Sequence, residues 1–224
     1  MGRVWRDALL VAGKDLRSEA RSRVTLNQVG PFALLVLVLF AFALDPDRGG
    51  LRRASAGLFW VTVLFSAVLA VQRSLALEGG EARDALRLSG MDGAGVFLGK
   101  AAAVALELAA LELVLAAGVA VLYDAPLRGA VLLLTTAVAA TVGLAGAGIV
   151  YGVIAAGLRV RDTLLPLLVL PVVAPVLLAA TRASEAALTG APGDGWPWVR
   201  LLGVFAVVYV AFGVVAFGPL LEEA

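Results

Sequence analysis

The 224-residue sequence contains no cysteine and no histidine. Those two absences remove a disulfide framework, a Cys/His zinc site, a cysteine nucleophile and a Ser-His-Asp triad. Charge is scarce as well: 16% of residues are charged and 61% are hydrophobic, with a mean hydropathy of +0.97. A soluble domain carries about 25% charged and roughly 45–50% apolar residues. A chain this apolar has too few polar residues to cover a globular surface, so its solvent is lipid. A net charge of +1 offers no general affinity for nucleic acid. Lysine is nearly missing, with only Lys14 and Lys100 among the 18 basic residues, which reads as compositional bias. A cleavable leader is not expected either. Residues 1–28 are charged throughout and the first apolar run begins at Val29, so the first span is expected to stay as an anchor.

What is present is a series of long apolar runs. A spanning helix needs about 20 apolar residues, with a range of roughly 17–25. Six runs are candidates, at 29–44, 57–77, 99–122, 130–158, 164–181 and 201–221, followed by a tail at 222–224; the first is short but extendable back through Asn27 and Gln28, and only the fourth exceeds the range. The expected fold is therefore an all-α membrane protein of six transmembrane helices. With the N-terminus in the cytoplasm, twelve Lys and Arg fall inside (such as Arg3, Arg21, Arg73, Arg87 and Arg159) and six outside (such as Arg48, Arg128 and Arg200). That bias predicts both termini inside. Trp196 and Trp198 then sit at the outer interface, where amphipathic rings prefer to be.

Residues 1–28 read as an amphipathic helix with a stripe of Trp5, Leu9, Ala12, Leu16 and Ala20, and with Asp7, Asp15 and Glu19 on its other faces. Such a helix can lie in the headgroup plane. The alternative is a cytosolic helix docked on a partner. The inner loop 78–98 contains a breaker-free helix at 81–88 and a turn at 89–93. This two-turn helix is too short to be stable alone and needs a partner to bury Ala82, Ala85 and Leu86. On the outer side, the Gly/Pro-rich run at 190–197 is expected to break any long helix within 182–199.

Within the spans, Glu107 and Glu112 stand out, because an intramembrane carboxylate faces protein or water rather than lipid. Five residues at 100° each place them about 140° apart, so they do not form one site. Each is either protonated or bonded to a polar neighbour such as Thr135, Thr136 or Thr141, or serves a transport or conformational role. The fourth span carries a small-residue stripe containing the GxxxG pair Gly148 and Gly152, suited to packing within the chain or between subunits. In the fifth span, Pro166, Pro171 and Pro175 predict a kinked or locally broken helix. Gly99-Lys100 is not a phosphate loop, since Ala94 and Ala101 occupy positions that such a loop gives to Gly and Ser/Thr. The chain is thus not expected to be an enzyme by itself, and any ATP is hydrolysed by another subunit.

The landmarks together resemble one family, CcmB, the membrane subunit of the cytochrome c maturation system. The resemblance is carried by the basic start 14–23, by Leu69-Ala-Val-Gln-Arg-Ser74 and by Leu98-Gly-Lys100. The proline-containing run 164–171, with Pro175, completes it. It covers essentially the whole chain, and the order and spacing of these stretches carry it rather than any single motif. The chain departs from the family at Gln72-Arg73, where Glu-Arg is usual, and at Arg83-Asp84 and Gly90. The resemblance implies an ABC-2-type permease-like subunit in the bacterial inner membrane, working with the ATPase CcmA and the membrane proteins CcmC and CcmD. That complex serves the haem chaperone CcmE. In this setting Asp84, Ala85, Leu86 and Leu88 of the inner helix are the expected ATPase-coupling residues.

Haem is the possible cargo of such a complex, yet its usual axial ligands are His, Cys, Met or Tyr. The chain has only Met1 and Met91, both on the cytoplasmic side, and Tyr123, Tyr151 and Tyr209. No cofactor is expected to be bound directly by this chain. Two competing readings remain at this level: a homodimeric ABC-2 export permease for a lipid or drug, and a non-transporting membrane scaffold.

Overall fold

The computed structural model describes residues 2–22, 30–43, 48–76, 90–122, 129–156 and 161–223. Those residues form seven α-helices: α1 Gly2–Ser22, α2 Gly30–Ala43, α3 Arg48–Ala76, α4 Gly93–Leu122, α5 Ala130–Ala156, α6 Arg161–Thr189 and α7 Trp196–Glu223. A 3₁₀ turn, Pro192–Gly195, joins the last two. Five helices, α3 to α7, are long and apolar enough to cross a membrane. The chain is a multi-pass membrane protein. α2 is uniformly apolar but has 14 residues, a rise of about 21 Å against a hydrocarbon core of about 30 Å.

Several helices are longer than their apolar runs. α3 begins at Arg48 rather than 57, because Arg and Ala continue a helix past the point where hydropathy falls. α4 begins at Gly93 rather than 99, so residues 93–98, assigned by sequence to the inner loop, are helical. The cause is a cap: the Asp92 carboxylate accepts a hydrogen bond from the Ala94 amide at 2.9 Å. The preceding turn is closed by Gly90 at φ 63°. The expected coupling residues Asp84, Ala85, Leu86 and Leu88 lie outside the described residues.

Segment 182–199 shows the largest difference from the sequence reading. α6 runs to Thr189 instead of 181, and α7 starts at Trp196 instead of 201, reaching Glu223 in the expected tail. Only the Gly190 to Gly195 reversal interrupts them, with Gly190 at φ 84°. Pro166, Pro171 and Pro175 lie inside one continuous α6, so that span is not broken. Prolines are tolerated within membrane helices because neighbouring groups re-satisfy the freed backbone.

Packing centres on α4 and α5. α5 lies between α3, α4, α6 and α7, while α4 also carries α1 and α2. Gly148 and Gly152 face α3: a Cβ at Gly148 would fall 2.6 Å from Val71 Cγ2, and one at Gly152 would collide with Leu75. The GxxxG pair therefore packs within the chain. The buried core runs through Trp60, Val63, Leu108, Leu115, Leu144, Ile149 and Val173. Outward faces are apolar too, with Leu113 74% and Val215 78% exposed, as a lipid-facing surface requires.

Candidate functional site

The densest polar cluster lies where α1 meets α3 and α4. α1 is seated along α4, and two glycines explain how closely. A Cβ at Gly95 would lie 2.9 Å from Asp7 Cβ and from the Val4 carbonyl oxygen. One at Gly99 would lie 2.6 Å from the Ala8 carbonyl oxygen. Gly95 and Gly99 thus form a second GxxxG pair, here shaping a slot for a helix outside the spans. From the sequence, Gly99 entered as part of a failed phosphate loop and of the Leu98-Gly-Lys100 stretch, not as a helix-packing position.

The slot turns α1 away from the expected orientation. Asp7, Ala8, Val11 and Asp15 form the buried face, while Trp5 and Leu9 are 63% and 73% exposed. Both sequence alternatives are modified by this result. The acidic face docks onto the chain itself, and part of the apolar stripe remains outward, free to enter a headgroup layer.

Lys100 explains why an acidic face is buried. Its side chain is fully buried and Asp15 is 2% exposed, with Lys100 Nζ 3.3 Å from Asp15 Oδ2. The same ammonium donates to the Ser74 carbonyl at 3.1 Å and to Ser74 Oγ at 3.4 Å. Lys14 Nζ stands 3.3 Å from Asp15 Oδ1. One turn on, Arg73 pairs with Glu19. Glu107 belongs to this end of the bundle, half-buried and within electrostatic range of Arg73 and Asp15. A buried ammonium satisfied by a carboxylate, a carbonyl and a hydroxyl fixes one geometry, since leaving any of these groups unpaired is costly.

The ties continue beyond residues 77–89. Asp7 Oδ2 accepts from the Asp92 amide at 3.2 Å, and the Arg3 guanidinium donates to the Gly90 carbonyl. α1 is therefore bonded to Arg73 and Ser74 just before the 77–89 segment, and to Gly90 and Asp92 just after it.

Glu112 is placed elsewhere. It is 6% exposed and turned towards α5, where Thr141 Oγ1 donates to Oε1 at 2.5 Å. Thr141 was among the polar neighbours named from sequence; Thr135 instead bonds the backbone of its own helix. Glu107 and Glu112 have different surroundings: charges on α3 and α1 act on the first, and Thr141 of α5 bonds the second. Tyr151 and Tyr209 lie side by side with ring centroids 6.2 Å apart and ring planes tilted by 46°.

The chain has clear relatives. The family model described as "CcmB protein" matches residues 6–223. This chain belongs to the CcmB family. "Heme exporter protein B" of Pseudomonas aeruginosa is 31% identical over 211 residues, covering 92% of this chain and 94% of the relative. The protein of that name from Paracoccus denitrificans is 29% identical over 220 residues, 94% of both chains. That of Haemophilus influenzae is 32% identical over 197 residues, covering 84% of this chain and 82% of the relative. Among residues that sequence reasoning missed in this CcmB-family chain, Lys100 and Asp15 matter most. A lone lysine in a 30-residue apolar helix was the available signal, and an acidic residue on α1 was its partner.

Proposed function

We propose that this chain is the transmembrane subunit of an ABC-type complex for cytochrome c maturation in the bacterial inner membrane. ATP is hydrolysed by a partner ATPase of CcmA type, and the work is coupled to haem delivery or release on the periplasmic side, with CcmC and CcmD as membrane partners. Six spans with both termini inside, α2 being the first, fit this ABC-2-like arrangement. Support comes first from relatives named haem exporters that align along nearly the whole chain.

The observation that carries the coupling role is the bracketing of residues 77–89 by α1. A push on that segment reaches α1 through Ser74 and Arg73 on one flank and through Gly90 and Asp92 on the other. α1 itself is fixed in the Gly95–Gly99 slot, so the load passes into α4 as a unit. A rigid element with discrete packing transmits displacement, whereas a loosely tethered one absorbs it.

The test is co-purification in mild detergent. Tagged wild-type chain brings down an ATPase together with membrane subunits, and Leu86→Asp loses the ATPase while still inserting into the membrane. Unchanged ATPase recovery with Leu86→Asp overturns this docking assignment.

A further inference from the structure

α1 is docked on α4 by one face only, and its charges are sorted around its axis. The acidic residues turn towards the chain: Asp7 and Asp15 are buried, and Glu19 is half-buried and paired with Arg73. The basic residues Arg3, Arg6, Lys14, Arg17 and Arg21 are all exposed. At about 100° per residue these positions, with Leu10 among them, fall within about 80° of one another, in a row about 27 Å long. The stripe of Trp5, Leu9, Ala12, Leu16 and Ala20 fills another arc of about 80°. α1 thus carries a docked face, an apolar face and a basic face, each about 120° from the next.

Position narrows the partner. The 30 residues of α4 rise about 45 Å, the thickness of a bilayer with its headgroups. α1 is seated at Gly95 and Gly99, in the first turns of that helix, which places it at headgroup level. A helix there meets hydrocarbon on one side and lipid phosphates on the other, as an apolar face beside a basic face requires. A protein surface covering one of these faces leaves the other unmatched, because they diverge by about 120°. Arg3 and Arg6 stand 4.0 and 3.6 Å from Asp7, and Lys14 3.3 Å from Asp15, so the chain itself answers part of their charge. Arg17 and Arg21 make no ion pair among the described residues. Lys14, Arg17 and Arg21 follow one another at spacings of three and four residues, where like charges repel along a helix. An anion seated among them turns that repulsion into attraction.

We propose that the basic face of α1 is a binding site for the headgroups of anionic phospholipids, with Arg17 and Arg21 as its principal contacts. Phosphate oxygens accept from the two guanidinium groups, while Trp5 and Leu9 enter the acyl boundary. The site stands apart from the coupling reading, since neither arginine joins the bonds that flank residues 77–89.

The chain has no cysteine, so a single cysteine at the exposed Ala20, next to Arg21 on the apolar face, can carry a fluorophore. The full chain is reconstituted in phosphatidylcholine vesicles containing a small share of brominated phosphatidylglycerol or, separately, of brominated phosphatidylcholine, whose bromines quench on contact. At equal mole fraction the anionic lipid quenches more strongly. Arg17→Gln combined with Arg21→Gln lowers that preference by up to about 25-fold, from about fivefold for each basic side chain near an anionic surface. High salt lowers it in the unsubstituted chain as well, which keeps the test valid where the double variant does not accumulate. A label at Val207, exposed on α7, shows no preference and sets the baseline. Equal quenching by the two lipids, the same preference at Val207, or a preference that neither the double variant nor salt lowers overturns the site. A label that neither lipid reaches, in the chain alone or in the whole assembly, overturns it too, since this face then meets water or a protein.

Discussion

Replacing Lys100 with methionine keeps most of the side-chain volume and removes the ammonium. The variant loses one contact to Asp15 and two to Ser74, at 3.3, 3.1 and 3.4 Å. Asp15, 2% exposed, is then left with the Ser74 hydroxyl at 3.5 Å and with Lys14 at 3.3 Å. Removing one partner of a buried ion pair costs about 3–5 kcal/mol, because the remaining charge is stranded. Lys14 is 55% exposed and offsets a small part, so the lower end of that range applies, roughly 3 kcal/mol. For a chain of this size each kcal/mol moves the midpoint by about 2–4 °C, giving an expected loss of roughly 6–12 °C. The assay is thermal unfolding in mild detergent followed by size-exclusion fluorescence, with protease cleavage of α1 as a local readout. Asp15→Asn combined with Lys100→Met should recover at least half of the loss, since no charge is then stranded. A single variant that melts with the wild type, or a double variant no better than the single, refutes the reasoning.

Gly99→Leu should release α1 from α4, because the added side chain meets the Ala8 carbonyl oxygen and Val11; faster proteolysis of residues 2–22 with intact spans is the readout. Gly148→Val should lower the melting temperature by disturbing the contact with Val71, and an unchanged midpoint would argue against tight α3–α5 packing. Glu112→Gln should preserve yield and cytochrome c maturation, whereas Glu112→Leu should lower yield because Thr141 is left without its partner; full yield and activity with leucine would count against any role for this position. Reporter fusions after Arg48 and Gly193 should read outside, and those after Asp92 and at Ala224 inside, with an outside C-terminus removing one span.

Much of the fold was legible because lipid simplifies the problem. Long apolar runs have few alternatives to a helix when every backbone group must bond internally, so α4, α5 and the greater part of α3, α6 and α7 follow from hydropathy. Helix ends were less legible. They depend on caps such as Asp92 and on reversals such as Gly190, which act after hydropathy has already fallen. Glu112 could be marked as protein-facing from depth alone, but the choice of Thr141 over Thr135 or Thr136 needed the relative rotation of α4 and α5.

The polar cluster around Lys100 was the least legible part, for a related reason. Asp15, Ser74 and Lys100 are separated by 59 and 26 residues, and no local period links them. On α1 the apolar stripe suggested a helix held by its hydrophobic face, while Gly95 and Gly99 open a slot that takes the acidic face instead. By itself the sequence determined the solvent, the helices and the residue types that had to find partners. Only the tertiary structure decided which partners those were, because a buried charge is satisfied by whichever group three-dimensional packing brings within about 3 Å, not by sequence neighbourhood.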